Sequence, residues 1–104
     1  MSDRTDPFPI PMLTNVNADE TASGYVPNNN TRQHQHSITF DGTVTAGIVV
    51  VEDKKGANLA TFDASLELKN QVTLPGPGEQ VRHRIDSAVV GGNVTTTMYR
   101  ILMG

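Results

Sequence analysis

SITFDGTVTAGIVVVE, residues 37–52, is the stretch that decides the fold of this chain. Its apolar side chains fall on even positions: Ile38, Phe40, Val44, Ala46, Ile48 and Val50. Because successive side chains of a strand point to opposite faces, this alternation predicts β-structure with one buried face. Threonines on the odd positions suit a solvated or partner-facing side. Gly42 predicts a turn or a bulge between two strands.

The remainder of residues 34–104 also has the pattern of β-strands. A polar loop over residues 53–58 predicts a hairpin. Even-phase alternation predicts a strand over residues 59–69, and the same phase continues at Val72 and Leu74. Gly91 and Gly92 with Asn93 predict a tight turn. Residues 94–103 predict a closing strand, which is either bulged or covered on both faces because its apolar positions fall on both phases.

The chain has 104 residues, which is the size of one domain. Six or seven short strands at this spacing predict an all-β fold: a single small antiparallel β-sandwich or jelly-roll-like domain over residues 34–104. Its core would be thin, and the sequence contains no cysteine for a disulfide. We therefore expect oligomerisation, as a homodimer or homotrimer, to supply further stability.

Residues 1–33 predict an extended Pro/Asn-rich N-terminal arm. Pro7, Pro9 and Pro11 favour an extended or polyproline II backbone. Four sizeable apolar side chains on this segment are candidate anchors for a partner: Phe8, Ile10, Met12 and Leu13. Three arrangements fit the pattern: an arm that docks on a neighbouring subunit, a tail that packs loosely on its own domain, or a short edge strand of its own sheet.

Composition argues against several classes of function. A formal net charge of −3 is not the basic footprint of a nucleic-acid-binding protein. No apolar run approaches the ~20 residues of a membrane span. The first residues lack the apolar region of a secretory signal, so we expect a chain made in a cytoplasm and not exported by a signal of its own.

The candidate chemistry is sparse. His34 and His36 would project from one face of a strand and His83 from another strand, so a three-histidine metal site is conceivable, although solvated or interface histidines are the default. We expect no metal, no cofactor and no catalytic residue, because no acid, serine or glycine-rich loop has the required spacing. Arg82, Arg84 and Arg100 form the basic cluster, which either binds acidic groups of a partner or is a solvated face.

Two segments resemble small β-sandwich virion proteins of tailed bacteriophages. The first is ITFDGTVTAGIVVVE, residues 38–52, and the second is RHRIDSAVVGGNVTTTMYRILMG, residues 82–104. Between them, the family commonly has a hairpin with a tryptophan, and this chain keeps Gly56 but has Phe62 nearest to the tryptophan position.

The resemblance implies a virion structural protein without enzymatic activity, assembled in the host cytoplasm. The role it indicates first is a capsid decoration or cement protein whose partners are the major capsid protein or other virion subunits. A neck, tail or head-fibre component, and a host-surface or glycan-binding module of the virion, remain alternatives.

Overall fold

The structure, a computed structural model, describes residues 4–5, 9–65 and 70–103. It is all-β, as predicted: the described residues contain six strands and no helix, and hence no helix long and apolar enough to cross a membrane. The strands are β1 (Arg4–Thr5), β2 (Ile10–Pro11), β3 (Thr31–Asp53), β4 (Asn58–Asp63), β5 (Gln71–Pro75) and β6 (Val81–Leu102).

Two long antiparallel strands, β3 and β6, form the framework and pair along nearly their whole length. The other edge of β3 pairs with β5 and β4, also antiparallel. The other edge of β6 pairs with β1 and β2. Three single bridges extend that edge: Val16 with Val94, Ala22 with Arg84, and Val26 with Val81.

Both long strands fold back on themselves, so that their halves form two packed layers. His36 lies in the first half of β3, and His83 pairs with Val51 in its second half. Residue 51 follows residue 36 by 15 positions, and a straight strand of that length would span about 50 Å. Yet ring nitrogens of His36 and His83 lie 2.7 Å apart. We call the layer with residues 31–41 of β3 the first layer and the layer with residues 46–53 the second.

Glycines stand where the strands fold over. Gly42 and Gly91 have φ angles of +94° and +93°, which side chains rarely allow. Gly92 pairs with Gly42, and a Cβ atom on Gly92 would lie 1.8 Å from the carbonyl oxygen of Asp41. The predicted tight turn at Gly91, Gly92 and Asn93 is wrong, because β6 continues through them. Of the two alternatives for Gly42, the structure shows a bulge within β3, just before a shift in pairing register.

The buried face of β3 changes phase across this bend. Two core clusters fill the interior: the main core cluster contains Leu13, Ile38, Val49, Val51, Phe62, Ile85, Val89 and Val94, and the smaller core cluster contains Met12, Val81 and Met98. Ile38 belongs to the main core cluster, but beyond the bend Val49 and Val51 belong to it, whereas Ile48 and Val50 do not. The pairing register with β6 shifts repeatedly between residues 42 and 49, and each bulge exchanges the inner and outer faces. The prediction that Ile48 and Val50 share the buried face with Ile38 is therefore only partly right: Val50 is buried, at 3% exposure, whereas Ile48 is half-buried, and neither belongs to the two core clusters.

Other sequence predictions about the strands and the core are confirmed. The predicted hairpin forms between β3 and β4. The second strand is shorter than predicted, since β4 ends at Asp63, and residues 66–69 of the predicted strand lie outside the described residues. The predicted even-phase residues that join or pack against the main cluster are Phe40, Val44, Ala60, Phe62, Val72 and Leu74. On the closing part of β6, whose phase the sequence left open, Val94 and Met98 are the fully buried apolar residues.

Candidate functional site

Three histidines form a continuous hydrogen-bonded chain through the interior. His34 and His36 project inward from β3, and His83 projects inward from β6. His34 Nδ1 lies 2.5 Å from His36 Nε2, and His36 Nδ1 lies 2.7 Å from His83 Nε2. His83 Nδ1 lies 2.7 Å from the hydroxyl of Thr96. We call these three residues the histidine chain; it crosses from the first layer to the second.

Further hydrogen bonds close both ends of the histidine chain. Thr96 Oγ1 accepts a hydrogen bond of 3.0 Å from the backbone N–H of Leu13. At the other end, Asn28 Nδ2 lies 3.4 Å from His34 Nε2, and the Thr31 hydroxyl donates to the Asn28 side-chain carbonyl. These polar side chains are at most 3% exposed. Because each has a partner, the network is compatible with burial in a folded core.

Burial keeps the three imidazoles neutral. Desolvation, helped by the neighbouring His83 and His34, lowers the pKa of His36 to about 2. Desolvation, with a contribution from His34, lowers the pKa of His83 to about 4. Desolvation also lowers the pKa of His34, against a smaller raising effect of the Pro75 backbone. A neutral imidazole has one donor and one acceptor nitrogen, which is what a linear chain of rings requires.

The histidine chain does not have the geometry of the three-histidine metal site that the sequence left open. A three-histidine site needs one nitrogen from each ring aimed at a common point, whereas His36 uses both of its nitrogens within the chain. The described residues contain no group of three histidine, cysteine or acidic side chains placed to hold a metal. The default expectation of solvated or interface histidines is wrong, since all three are at most 1% exposed in their own chain.

Two of the three predicted partner-binding arginines are engaged by acidic groups of the chain itself. Arg82 Nε lies 2.7 Å from Glu52 Oε2, and Arg84 Nε lies 3.0 Å from Glu52 Oε1. Arg84 also pairs with Glu20 at 3.2 Å and with Asp86 at 2.9 Å. Desolvation opposes ionisation of Glu52, but the hydrogen bonds from both arginines hold its pKa below the usual value. The outer face of the second layer therefore carries a charged, internally paired cluster.

Arg100 does not join that cluster. Arg100 lies opposite His34 in the strand pairing of β6 with β3, in the first layer. Its Nη1 donates a hydrogen bond of 3.1 Å to the carbonyl of Pro27. The predicted basic cluster is thus divided between the two layers. Binding of a partner by Arg82, Arg84 or Arg100 stays a prediction.

The predicted arm anchors lie in different environments. Met12 and Leu13 are 9% and 2% exposed and belong to the core of their own chain. Ile10 is half-buried against the smaller core cluster, and Phe8 lies outside the described residues. Of the three arrangements considered for the arm, its described part shows docking on its own sheet, along β6. Partner binding by these anchors stays a prediction, and for Met12 and Leu13 it would require leaving this core.

On the outer face of the first layer, the described residues where β5, β3 and β6 lie side by side are uncharged; the exposed Asp41 lies farther along β3, beyond its pairing with β5. Because the even residues of β3 point inward there, the odd residues point outward, beside those of β5 and β6. We call the following residues the neutral face: Gln33, Gln35, Ser37, Gln71, Thr73, Pro75, Thr97, Tyr99 and Ile101. Sequence reasoning did not single it out, although the alternation of Gln33 and Gln35 with His34 and His36 was a visible signal.

A pocket of about 280 Å³ lies on the neutral face and is lined by Gln33, Gln35, Thr73, Tyr99 and Ile101. We call it the face pocket. A separate pocket of about 250 Å³ opens beside His34 at the end of the histidine chain and includes Asp53 and Glu79. The two pockets differ in charge, since acidic groups line only the one beside His34.

The fold is similar to that of a known phage-derived protein. The crystal structure of SPBc2 prophage-derived protein YomS matches with a TM-score of 0.61, over 97% of this chain and 97% of that one. The sequences are 13% identical, so the likeness is one of fold. Neither a protein family nor a curated protein matches the sequence.

Proposed function

We propose that this protein is a structural component of a tailed-bacteriophage virion, and specifically a decoration or cement protein of the outer capsid. The observation that carries the proposal is the full-length fold likeness to a prophage-derived protein. It agrees with the resemblance of residues 38–52 and 82–104 to small β-sandwich virion proteins. In this role the protein acts by binding, without catalysis and without a cofactor.

The interior suits a rigid subunit. A hydrogen bond between His36 and His83 connects the two layers, and glycines that admit no side chain fix the fold-over of β3 and β6. Packed cores and satisfied polar networks resist deformation. A protein that holds neighbouring capsid subunits in register needs such resistance, because a soft subunit would yield instead of transmitting force.

The exposed sheet edges supply candidate contacts with the capsid. Within the described residues, β4 and β5 each pair only with β3, so their outer edges have unpaired backbone groups. An extended segment of the major capsid protein, or of another virion subunit, could add to such an edge as a further strand. Attachment at many equivalent lattice positions makes weak individual contacts effective, and a dimer or trimer of this chain would add to that effect.

Deletion of the gene from the phage that encodes this chain tests the proposal. Particles without the protein should release DNA at lower temperature or in milder osmotic shock than complete particles. Adding the purified protein to the deficient particles should restore resistance. The proposal is contradicted if particles of the unmodified phage contain no copies of the protein and if particles made with and without the gene behave identically.

A further inference from the structure

The face pocket has polar side chains that could bind a ligand and that have no hydrogen-bond partner among the described residues. Its centre is a row of three neighbours on adjacent strands, in which Gln35 stands between Thr73 and Tyr99. In the next row, Gln33 stands between Pro75 and Ile101. The pocket thus combines two amides, two hydroxyls, one aromatic ring and one aliphatic side chain within about 280 Å³.

These polar groups are available. In the part of the chain that the structure describes, the side chains of Gln33, Gln35, Thr73 and Tyr99 make no hydrogen bond with another group of the protein. Both glutamines are half-buried, and each amide offers donors and an acceptor. By contrast, the arginines on the opposite outer face are already paired with acids.

We propose that the face pocket binds a neutral saccharide. Side-chain amides and hydroxyls match the alternating donor and acceptor character of sugar hydroxyls, and an aromatic ring with a polar tip offers an apolar surface beside them. The neutral face contains no cation for a phosphate or carboxylate and no acid for an amine. The volume lies near the lower end of ligand pockets, roughly 300–1,000 Å³, which suits one sugar unit instead of a long chain.

A carbohydrate fits this surface better than a protein partner does. Interface cores are enriched in large apolar and aromatic side chains, whereas this face is mostly glutamine, serine and threonine around Tyr99 and Ile101. Resting on the proposed function, the inference places saccharide binding on the outside of a virion, where many copies act together. Multivalency can then convert weak binding at each pocket into strong attachment to a bacterial surface glycan.

Titration of isotope-labelled full-length protein with neutral sugars tests the proposal. The probes are glucose, galactose, rhamnose and N-acetylglucosamine, followed by amide NMR signals, including the side-chain amides of Gln33 and Gln35. For at least one sugar, we expect saturable shifts centred on the face pocket. Gln35→Ala should weaken that binding by about tenfold, the effect of losing roughly one to two hydrogen bonds. Gln33→Ala is a second variant, in case Gln35→Ala fails to fold.

Thr39→Ala is the matched control. Thr39 is exposed on β3 beyond the pocket, so this variant should bind as the unchanged protein does. The proposal is overturned if no sugar produces saturable shifts, if the shifts lie elsewhere, or if Gln35→Ala and Gln33→Ala both bind like Thr39→Ala. If the NMR signals of the pocket residues shift with protein concentration and do not respond to sugar, the face binds a second copy of this chain and the saccharide proposal is wrong. Because the titration uses no particles, its failure leaves the virion assignment to be decided by the particle experiments alone.

Discussion

His36 Nδ1 lies 2.7 Å from His83 Nε2, and this contact joins the two layers of the sandwich through polar groups instead of apolar ones. Both side chains are at most 1% exposed. The core therefore depends on hydrogen bonds that exist only when its histidines are neutral, in addition to two hydrophobic clusters. This combination makes specific predictions about stability.

Replacing the middle ring should destabilise the fold. His36→Leu leaves His34 Nδ1 and His83 Nε2 buried without their partners, and each unpaired group costs about 1–3 kcal/mol. We expect the free energy of unfolding to fall by roughly 2–5 kcal/mol, measured by urea denaturation. The control Thr39→Ala should change it by less than about 0.5 kcal/mol. Equal stability of the two variants would show that the histidine chain contributes little.

Stability should decline as the pH falls below 6.5. The unfolded histidines have a pKa near 6.5, whereas the native pKa values are lowered, to about 4 for His83 and about 2 for His36. Below 6.5 the unfolded state therefore binds more protons than the native state. Each buried histidine should remove up to about 1.4 kcal/mol per pH unit until its native pKa is reached.

Urea denaturation between pH 8 and pH 5 measures this slope, in a range above the titration of ordinary carboxylates. Asp53 and Glu79 line the pocket beside His34, at one end of the histidine chain, and the direct hydrogen-bond partners at the two ends of the chain are neutral. His36→Leu should flatten the slope. An unfolding free energy that is the same at pH 5 and pH 7.5 would contradict the account.

The fold-over should not tolerate a side chain at Gly92. In Gly92→Ala the new Cβ atom would meet the carbonyl oxygen of Asp41 at 1.8 Å, so the backbone must shift. We expect a loss of more than about 3 kcal/mol or failure to fold. Gly24→Ala is the matched control, because nothing lies within 4 Å of its added Cβ atom. Thermal unfolding of both variants decides the point, and a normal melting temperature for Gly92→Ala would rule out this bend.

The described part of the arm should stabilise its own domain. Leu13 is 2% exposed in the main core cluster, so Leu13→Ala should cost about 2–5 kcal/mol. Val90 is 53% exposed, and Val90→Ala should cost less than about 0.5 kcal/mol. Denaturation of the isolated protein measures both. If Leu13→Ala is as stable as Val90→Ala, the described part of the arm does not belong to this core in solution. Docking of the arm on a neighbouring subunit would then gain support.

The sequence predicted the fold class because alternation of apolar residues depends only on local strand geometry. It predicted the inner positions Ile38 and Phe62, but it failed at Ile48, which is half-buried, because bulges exchange the faces of a strand and the residue pattern does not reveal them. The sequence also predicted a turn at Gly91 and Gly92, which is wrong because β6 continues through them. Glycines that permit a bend within a paired strand and glycines in a hairpin look alike in a sequence.

The sites were less predictable, since they depend on which distant residues meet. The spacing of His34 and His36 showed that they share a face, but only the fold-over brings His83 to them as a chain instead of a metal site. Arg82 and Arg84 were visible as a cluster, whereas their pairing with Glu52 depends on strand register. The face pocket was missed because glutamine and threonine carry no motif until three strands place them side by side.

The virion assignment is tested most directly by a cryo-electron microscopy map of purified particles of the phage that encodes this chain. We expect ordered density for the two-layered sandwich on the outer surface of the capsid, repeated at equivalent lattice positions, with the chain detected in the same particles by mass spectrometry. Particles that contain no density and no peptides of this protein would contradict the account.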